Sequence, residues 1–352
     1  MGREIGKEFN RMRILMFGAG AIGSYIGGSL ALTGEDVIFF EREDVAAQLR
    51  KTGIRLGLPD GEKTLQTPSI HSTLNEIFQS GEFDLAILAV KGFDTAGMLS
   101  MLQPFREKVP PILCLQNGVE NEVAIENALG KNSVIRGTVT TAIGRRGVGN
   151  IIVEKFRGTG IELSHPVSAK VLRVCNEAGL GMRGYTNGKA MKWSKMLTNL
   201  MANATSAIMN WTAGQVYAHP GLFELERRQL LETLAVMDSK KIPVVDLPGT
   251  PIRLLAFGIR HLPGIILKPL LVKAVGGGRG AKMPSFHIDL DQGRGQSEVD
   301  WLNGAVARSA RDAGLDAPVN ELLTNVLLRL TSGEWKKEEF DSRPDKLLSL
   351  LM

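Results

Sequence analysis

The chain has 352 residues, and at roughly 150 residues per domain this length suggests two domains. With 43% hydrophobic and 22% charged residues, the composition is that of a globular protein and excludes a disordered or fibrous chain. The formal net charge is only +5, and aromatic residues make up 6%, so we expect no nucleic-acid partner. A small ligand that carries phosphate or carboxylate explains the positive excess equally well.

The cysteines and the apolar stretches of the chain indicate the cellular compartment of the protein. Cys114 and Cys175 cannot build a disulfide framework and lie in no CxxC motif, which favours a reducing compartment. The five histidines lack metal-ligand spacing, so we expect no metal site. The charged start has no signal-peptide core, and charged residues and prolines interrupt the apolar stretch 254–275. These features predict a cytoplasmic protein without stable membrane insertion.

The first half of the chain alternates strand-like and helix-like segments. A helical pattern covers residues 21–33, and Gly34 can end it. Short apolar runs with the pattern of buried strands lie at residues 14–17, 37–40, 84–90, 112–115 and 134–143. This alternation predicts an α/β domain of Rossmann type, in which a parallel sheet has helices on both faces.

The second half reads as helical throughout. Its helical segments cover residues 191–209, 222–240, 254–274 and 298–313. A turn at Thr186-Asn187-Gly188 places the boundary between a dinucleotide-binding domain, 1–186, and a helical domain for substrate and dimerisation, 187–352. Prolines and glycines punctuate residues 240–284, which predicts a mobile loop or an inserted helical hairpin. Peripheral membrane docking by residues 254–273 is a less favoured alternative.

The most informative local motif is the glycine-rich run Gly18-Ala19-Gly20-Ala21-Ile22-Gly23. It follows an apolar run and opens an apolar helix, which is the context of a dinucleotide-binding turn. Gly18 permits the tight turn, Gly20 lets the backbone approach a pyrophosphate, and Gly23 lets the helix pack closely on the strand. A simple strand–helix turn is the alternative, and this context makes it the weaker one.

Two adjacent residues after the second strand make opposite predictions about the cofactor. Glu41 would bind the ribose 2′-hydroxyl of NAD, whereas Arg42 would pair with the 2′-phosphate of NADP. Only the directions of the side chains decide between them. We favour NADPH held by Arg42 and leave NAD open.

Two polar residues follow later strands. Lys91 closes the run LAILAVK, and Asn117 follows the run ILCLQ. Because the carboxyl ends of strands in open α/β sheets face the ligand, a lysine there can meet phosphate and an asparagine can bridge nicotinamide and substrate. A solvated lysine and a turn asparagine before Gly118 remain equally good interpretations.

A polar stripe runs along the first helical segment of the second half. Lys195, Asn199 and Asn203 recur at spacing four and so share one face of a helix. An exposed polar face is usually rich in Glu and Lys, whereas this one has a single lysine among Asn, Ala, Ser and Met. The pattern therefore favours a pocket that needs one cation.

Two further candidates lie near the chain's last third. Ser285 belongs to the run PSFHIDL, and Glu298 to the run QSEVDW. Glu298 suits the first turn of a helix that Ser297 and Asp300 would cap. Alternatively, it is the carboxylate that pairs with Lys195 and holds the substrate.

Taken together, these motifs resemble the ketopantoate reductase (2-dehydropantoate 2-reductase) family. The resemblance rests on the order and spacing of GAGAIG, AVKGFDT, QNGVEN, KWSKMLTNLMAN, PSFHIDL, SEVDWLNG and GLDAPVNELL. It implies a Rossmann domain followed by a helical domain, and NADPH-dependent reduction of 2-dehydropantoate to pantoate on the way to coenzyme A. A homodimer is compatible with this organisation.

The resemblance also implies roles for individual residues. Lys195 would be the general acid, and Glu298 would close the site beside substrate and cofactor. The residues that would contact the substrate are Asn117, Asn199, Asn203 and Ser285. The cofactor would contact the glycine turn, Arg42, Lys91 and Asn117.

The chain departs from the family pattern in ways that affect the substrate. A family asparagine falls on Ala213, and a lost hydrogen-bond donor can change which ketone a site prefers. The segment 240–284 is also longer than in compact members. A different 2-keto or 2-hydroxy acid is therefore one alternative function, and a non-catalytic dinucleotide-binding protein is another.

Overall fold

The computed structural model describes residues 11–279, 283–293 and 295–351. They form two compact units, of which the first contains residues 11–116, 121–191 and 247–250. The second contains residues 117–120 and 192–246 and the described part of 251–351. Residues 117–120 belong to the second unit and residues 247–250 to the first. No single position in the chain therefore separates the two units. The predicted division at residue 186 stays a prediction.

The strands of the described residues all belong to the first unit and form two sheets. The sheets have the orders β12-β11-β8-β7-β6-β1-β2-β5 and β4-β3-β10-β9. In chain order the strands are β1 Arg13–Phe17, β2 Asp36–Phe40, β3 Ile54–Leu58, β4 Gly61–Leu65, β5 Ser69–His71, β6 Leu85–Leu88, β7 Ile112–Cys114, β8 Val134–Val139, β9 Ala142–Gly147, β10 Asn150–Lys155, β11 Thr159–Glu162 and β12 Met182–Tyr185.

The larger sheet confirms the predicted Rossmann-type arrangement. β1 pairs in parallel with both β2 and β6, and the only antiparallel pair in this sheet joins β11 to β8. Along β1, Ile14 and Met16 pack into one buried cluster, whereas Leu15 and Phe17 pack into the other. Because successive side chains leave a strand on opposite faces, both faces of this sheet are covered.

The prediction of one strand over residues 134–143 is wrong. β8 and β9 lie in different sheets, and Thr140 and Thr141 separate them. The backbone N–H groups of both threonines donate to the carbonyl of Gly158, at 3.1 and 3.2 Å, which turns the chain between the sheets. The smaller sheet was missed because polar residues fill its outer strands; in β4, three of five residues are exposed.

The described residues contain sixteen α-helices. They are α1 Ala21–Leu32, α2 Glu43–Thr52, α3 Leu74–Gln79, α4 Thr95–Leu102, α5 Asn121–Leu129, α6 Ser168–Glu177, α7 Gly188–Leu200, α8 Asn203–Met209, α9 Ala213–Ala218, α10 Pro220–Ser239, α11 Ile252–His261, α12 Gly264–Arg279, α13 Ser285–Asp291, α14 Ala305–Asp312, α15 Pro318–Ser332 and α16 Pro344–Ser349. A π-helix over Asp300–Gly304 precedes α14. No helix among these residues is both long and apolar enough to cross a bilayer.

Two predicted helices are each broken into a pair. The segment 191–209 forms α7 and α8, and Ala202 between them has a φ of +50°, in the left-handed region. The segment 254–274 forms α11 and α12, joined at Leu262-Pro263. The described part of residues 240–284 therefore contains a helical hairpin, formed by α11 and α12, and its being an insertion stays a prediction.

Candidate active site

The glycine turn of the first unit has the geometry that a dinucleotide requires. It connects β1 to α1, and Gly18 has a φ of +89°. A Cβ on Gly23 would lie 1.8 Å from the carbonyl oxygen of Gly18, whereas one on Gly20 would meet nothing within 4 Å. No side chain caps the first turn of α1, and no acidic residue lies in it. The turn thus leaves helix N–H groups available to phosphate.

The two cofactor candidates after β2 have different surroundings. Oε2 of Glu41 accepts the backbone N–H of Ala19 at 2.7 Å, so its carboxylate lies against the glycine turn. The side chain of Arg42 is 77% exposed, and its Nη2 pairs with Asp44 at 3.3 Å. The structure therefore brings Glu41, rather than the favoured Arg42, to the turn.

Lys91 lies three residues past the end of β6 and is half-buried. The Nε2 group of Gln116 donates to the carbonyls of Val90 and Lys91, at 3.1 and 3.2 Å. The same Nε2 lies 2.8 Å from Oγ1 of Thr95. The buried side chain of Gln116 thus holds the backbone of the segment that contains Lys91 in place by hydrogen bonds. This role of Gln116 was not predicted, although an amide between the apolar run ILCL and Asn117 was a usable signal.

In the second unit, Asn117 lies beside the first half of the predicted polar stripe. The Nδ2 group of Asn199 donates to Oδ1 of Asn117 at 3.1 Å. Asn117 belongs to the short segment 117–120. Glu120 of this segment forms a bidentate salt bridge with Arg308 of α14, with N–O distances of 3.0 and 2.7 Å. This hydrogen bonding to Glu120 raises the pKa of Arg308 above its ordinary value. The sequence gives no sign of this pair, because its members lie 188 positions apart in the chain.

Asn203 joins the second half of the stripe to α13. It begins α8, so the predicted single helix with three stripe residues is wrong, yet its Nδ2 still lies 3.1 Å from the carbonyl of Asn199. The same Nδ2 lies 3.3 Å from Oγ of Ser285, and Oδ1 accepts the backbone N–H of Phe286 at 3.2 Å. Asn117, Asn199, Asn203 and Ser285 therefore form one chain of contacts.

Lys195 and Glu298 are the two charged candidates. Lys195 lies one helical turn before Asn199 on α7 and is half-buried. Glu298 is only 5% exposed, and its carbonyl accepts the N–H of Trp301 at 3.0 Å. The predicted cap by Ser297 and Asp300 is wrong. The π-helix begins at Asp300 without a side-chain cap, Oγ of Ser297 accepts the N–H of Val299 ahead of it, and Asp300 pairs with Arg308. The pairing of Lys195 with Glu298 stays a prediction.

A buried carboxylate stabilises the break in this helix. Glu226 of α10 is fully buried, and its Oε2 accepts the backbone N–H of Ala202 at 2.7 Å. Thr205, Tyr217 and Gln229 also bond to it, at 2.5, 3.3 and 2.7 Å. Burial raises the pKa of Glu226 to about 7, against the lowering effect of these donors. Glu226 thereby fixes where α7 ends and α8 begins, between Asn199 and Asn203.

Comparison with known protein families gives matches over most of the chain. The family described as "Ketopantoate reductase PanE/ApbA" matches residues 14–163, and "Ketopantoate reductase PanE/ApbA C terminal" matches residues 187–331. A 2-dehydropantoate 2-reductase of Archaeoglobus fulgidus is 27% identical over 329 residues, which are 91% of this chain and 98% of the relative. One of Streptococcus pyogenes serotype M1 is 24% identical, over 90% and 97%.

Solved structures share the fold. A PanE/ApbA family ketopantoate reductase from Ralstonia eutropha JMP134 aligns with a TM-score of 0.76 at 25% identity, over 92% of this chain and 99% of that one. The ternary structure of a D-mandelate dehydrogenase with NADH and anilino(oxo)acetate aligns with a TM-score of 0.72 at 21% identity, over 92% and 99%.

Proposed function

The chain belongs to the ketopantoate reductase family, and we propose that it reduces 2-dehydropantoate to pantoate with NADPH as the hydride donor. The observation that carries this proposal is the chain of contacts from Asn117 through Asn199 and Asn203 to Ser285. Asn199 lies one helical turn from Lys195 on α7, and the amides and hydroxyl of these residues suit the carboxylate, hydroxyl and ketone of a small keto acid.

In the proposed reaction each of these residues has a defined task. NADPH, when bound, would supply the hydride for reduction of the ketone. Lys195 stabilises the negative charge that develops on the carbonyl oxygen and donates the proton that completes the alcohol. Asn199, Asn203 and Ser285 fix the substrate's polar groups, which limits the orientations of the carbonyl. Glu298 holds Lys195 and closes the site, and Lys91 meets the charge of the cofactor.

The direct test is consumption of NADPH by the purified chain when 2-dehydropantoate is added, followed by the loss of nicotinamide absorbance at 340 nm. We expect turnover that depends on both substrates. If the chain binds dinucleotide but oxidises none with any 2-keto acid, the non-catalytic dinucleotide-binding alternative replaces this proposal.

A different 2-keto acid is the second candidate substrate, and Ala213 favours it. Ala213 is the first residue of α9, is 5% exposed and stands where the family pattern has an asparagine. We expect Ala213→Asn to raise kcat/KM for 2-dehydropantoate relative to other branched 2-keto acids by about tenfold, because one hydrogen-bond donor is restored. A panel of keto acids with both proteins measures this ratio, and an unchanged ranking would remove Ala213 from the argument.

The cofactor assignment gives a second prediction, made with paired variants. We expect Arg42→Ala to lower kcat/KM for NADPH about tenfold or more and to leave the value for NADH unchanged, because only NADPH has a 2′-phosphate. Glu41→Ala is the matched variant on the neighbouring residue. It removes the carboxylate that lies 2.7 Å from the N–H of Ala19, which is the observation that favours NADH.

Steady-state rates with each dinucleotide at saturating keto acid measure both effects. If Glu41→Ala lowered kcat/KM for NADH while Arg42→Ala changed kcat/KM for neither dinucleotide, NADH would be the donor and the role of Arg42 would be wrong.

A further inference from the structure

The hairpin of α11 and α12 exposes an unusual number of apolar side chains. Ten large hydrophobic side chains are exposed in the described part of the chain, and half of them lie in this hairpin. Their exposed fractions are 68% for Leu254, 55% for Phe257, 86% for Ile265, 49% for Ile266 and 52% for Leu270. Exposed apolar groups of this density mark an interaction surface more often than they mark an ordinary surface.

The exposed residues lie opposite the faces that hold the hairpin in the second unit. On α11, Ile252 and Ile259 are at most 1% exposed, and on α12, Leu267 and Leu271 are 3% and 4% exposed. A Cβ on Gly258 would lie 3.3 Å from Leu267, so the two helices pack directly on each other. Leu254 and Phe257 are three residues apart on α11, and Ile266 and Leu270 are four apart on α12, so each helix has an anchored face and a free face.

Charge distinguishes this segment from the rest of the chain. No residue between Asp246 and Asp289 is acidic, whereas six are Lys or Arg. Without those six, the 42 basic residues of the chain become 36 against 37 acidic ones, so the positive excess of the whole protein resides here. Lys273 is exposed on the last described turns of the free face, and Arg260 reaches Asp238 at 2.8 Å.

We propose that the free face of the α11–α12 hairpin binds the surface of an anionic lipid bilayer. A bilayer interface accepts apolar side chains anywhere along a helix face and supplies anionic headgroups to the surrounding cations. A second copy of the chain is a poorer occupant, because symmetric pairing would place two cationic faces against each other. This inference is independent of the proposed reaction.

Flotation of the full chain with lipid vesicles tests the proposal. We expect the chain to float with vesicles of phosphatidylcholine and phosphatidylglycerol, and much less with phosphatidylcholine alone or at high salt. Ile265→Ser should lower the partition coefficient about tenfold, since one exposed isoleucine no longer enters the interface. Lys273→Glu should lower it about tenfold as well.

Two substitutions at exposed sites in the first unit serve as matched controls. Val123→Ser changes a side chain that is 49% exposed, and Lys131→Glu reverses an exposed charge, and neither should alter flotation. Circular dichroism and dinucleotide binding verify that every variant is folded. Absence of flotation with anionic vesicles, equal flotation with neutral ones, or unchanged binding of Ile265→Ser would overturn the proposal. So would a self-associating chain that ignores vesicles and becomes monomeric on Ile265→Ser, which would assign the face to a second copy.

Discussion

Replacing Lys195 with alanine is expected to lower kcat for keto-acid reduction about 10²- to 10⁴-fold, because the variant lacks the group that stabilises the developing alkoxide and donates the proton. The dissociation constant of the dinucleotide should change by less than about threefold, since the proposed cofactor contacts lie on other residues. Steady-state kinetics and a fluorescence titration with the reduced dinucleotide measure the two quantities separately.

Lys189 provides the matched control for this experiment. It lies on the same helix, α7, and is exposed, so Lys189→Ala removes an equal charge from the same helix without touching the polar stripe. We expect it to keep wild-type kcat. The assignment of Lys195 as general acid would be wrong if Lys195→Ala kept its turnover, or if Lys189→Ala lost as much.

Among the substitutions considered, we expect replacement of Glu226 with alanine to lower the free energy of unfolding the most. Glu226→Ala leaves a cavity and removes the acceptor for the N–H of Ala202 and for the Thr205 hydroxyl, at a cost of about 3–5 kcal/mol in the free energy of unfolding. Glu226→Gln keeps the shape and one acceptor oxygen, and its amide can donate to Thr205. We expect this variant to be close to the wild type at acidic pH. Denaturant unfolding at several pH values measures all three proteins.

The pH dependence of this comparison has a definite sign. The pKa of Glu226 is about 7 in the folded chain and near 4.5 in the unfolded chain, so the folded state binds the proton more tightly. Its contribution to stability is therefore complete below about pH 4.5 and is lost as the pH rises through about 7. Relative to Glu226→Gln, the wild type should lose about 2 to 3 kcal/mol between roughly pH 5 and 8. A constant difference would show that Glu226 is ionised throughout.

The break that Glu226 stabilises also lies within the proposed substrate site. Asn199 precedes the break and Asn203 follows it, and the two remain in contact through the carbonyl of Asn199. If the geometry of the break matters for catalysis, Glu226→Ala should raise KM for the keto acid in folded protein, whereas Glu226→Gln should not. This separates a positioning effect from simple loss of folded protein.

The sequence by itself determined the parts of this protein that local chemistry controls. The apolar runs around Ile14 and Ile87 have the continuous pattern of strands covered on both faces, and the sheet contains them as predicted. The glycine turn was predictable because Gly18 and Gly23 satisfy steric demands within a few residues of each other. Spacing alone predicted that Lys195 and Asn199 lie one turn apart on a helix, but not that Asn203 begins a second helix.

Only the tertiary structure decided the features that depend on residues distant in the chain. The end of α7 at Leu200 is set by Glu226, twenty-four positions beyond Ala202, and no periodicity within residues 191–209 reports it. The association of Asn117 with Asn199, and of Glu120 with Arg308, spans 82 and 188 positions. The sequence also could not show whether Glu41 or Arg42 contacts the glycine turn. The side chains of adjacent residues point in different directions, and the backbone geometry sets those directions. Spacing determines which residues share an element, whereas packing between elements determines what those residues touch.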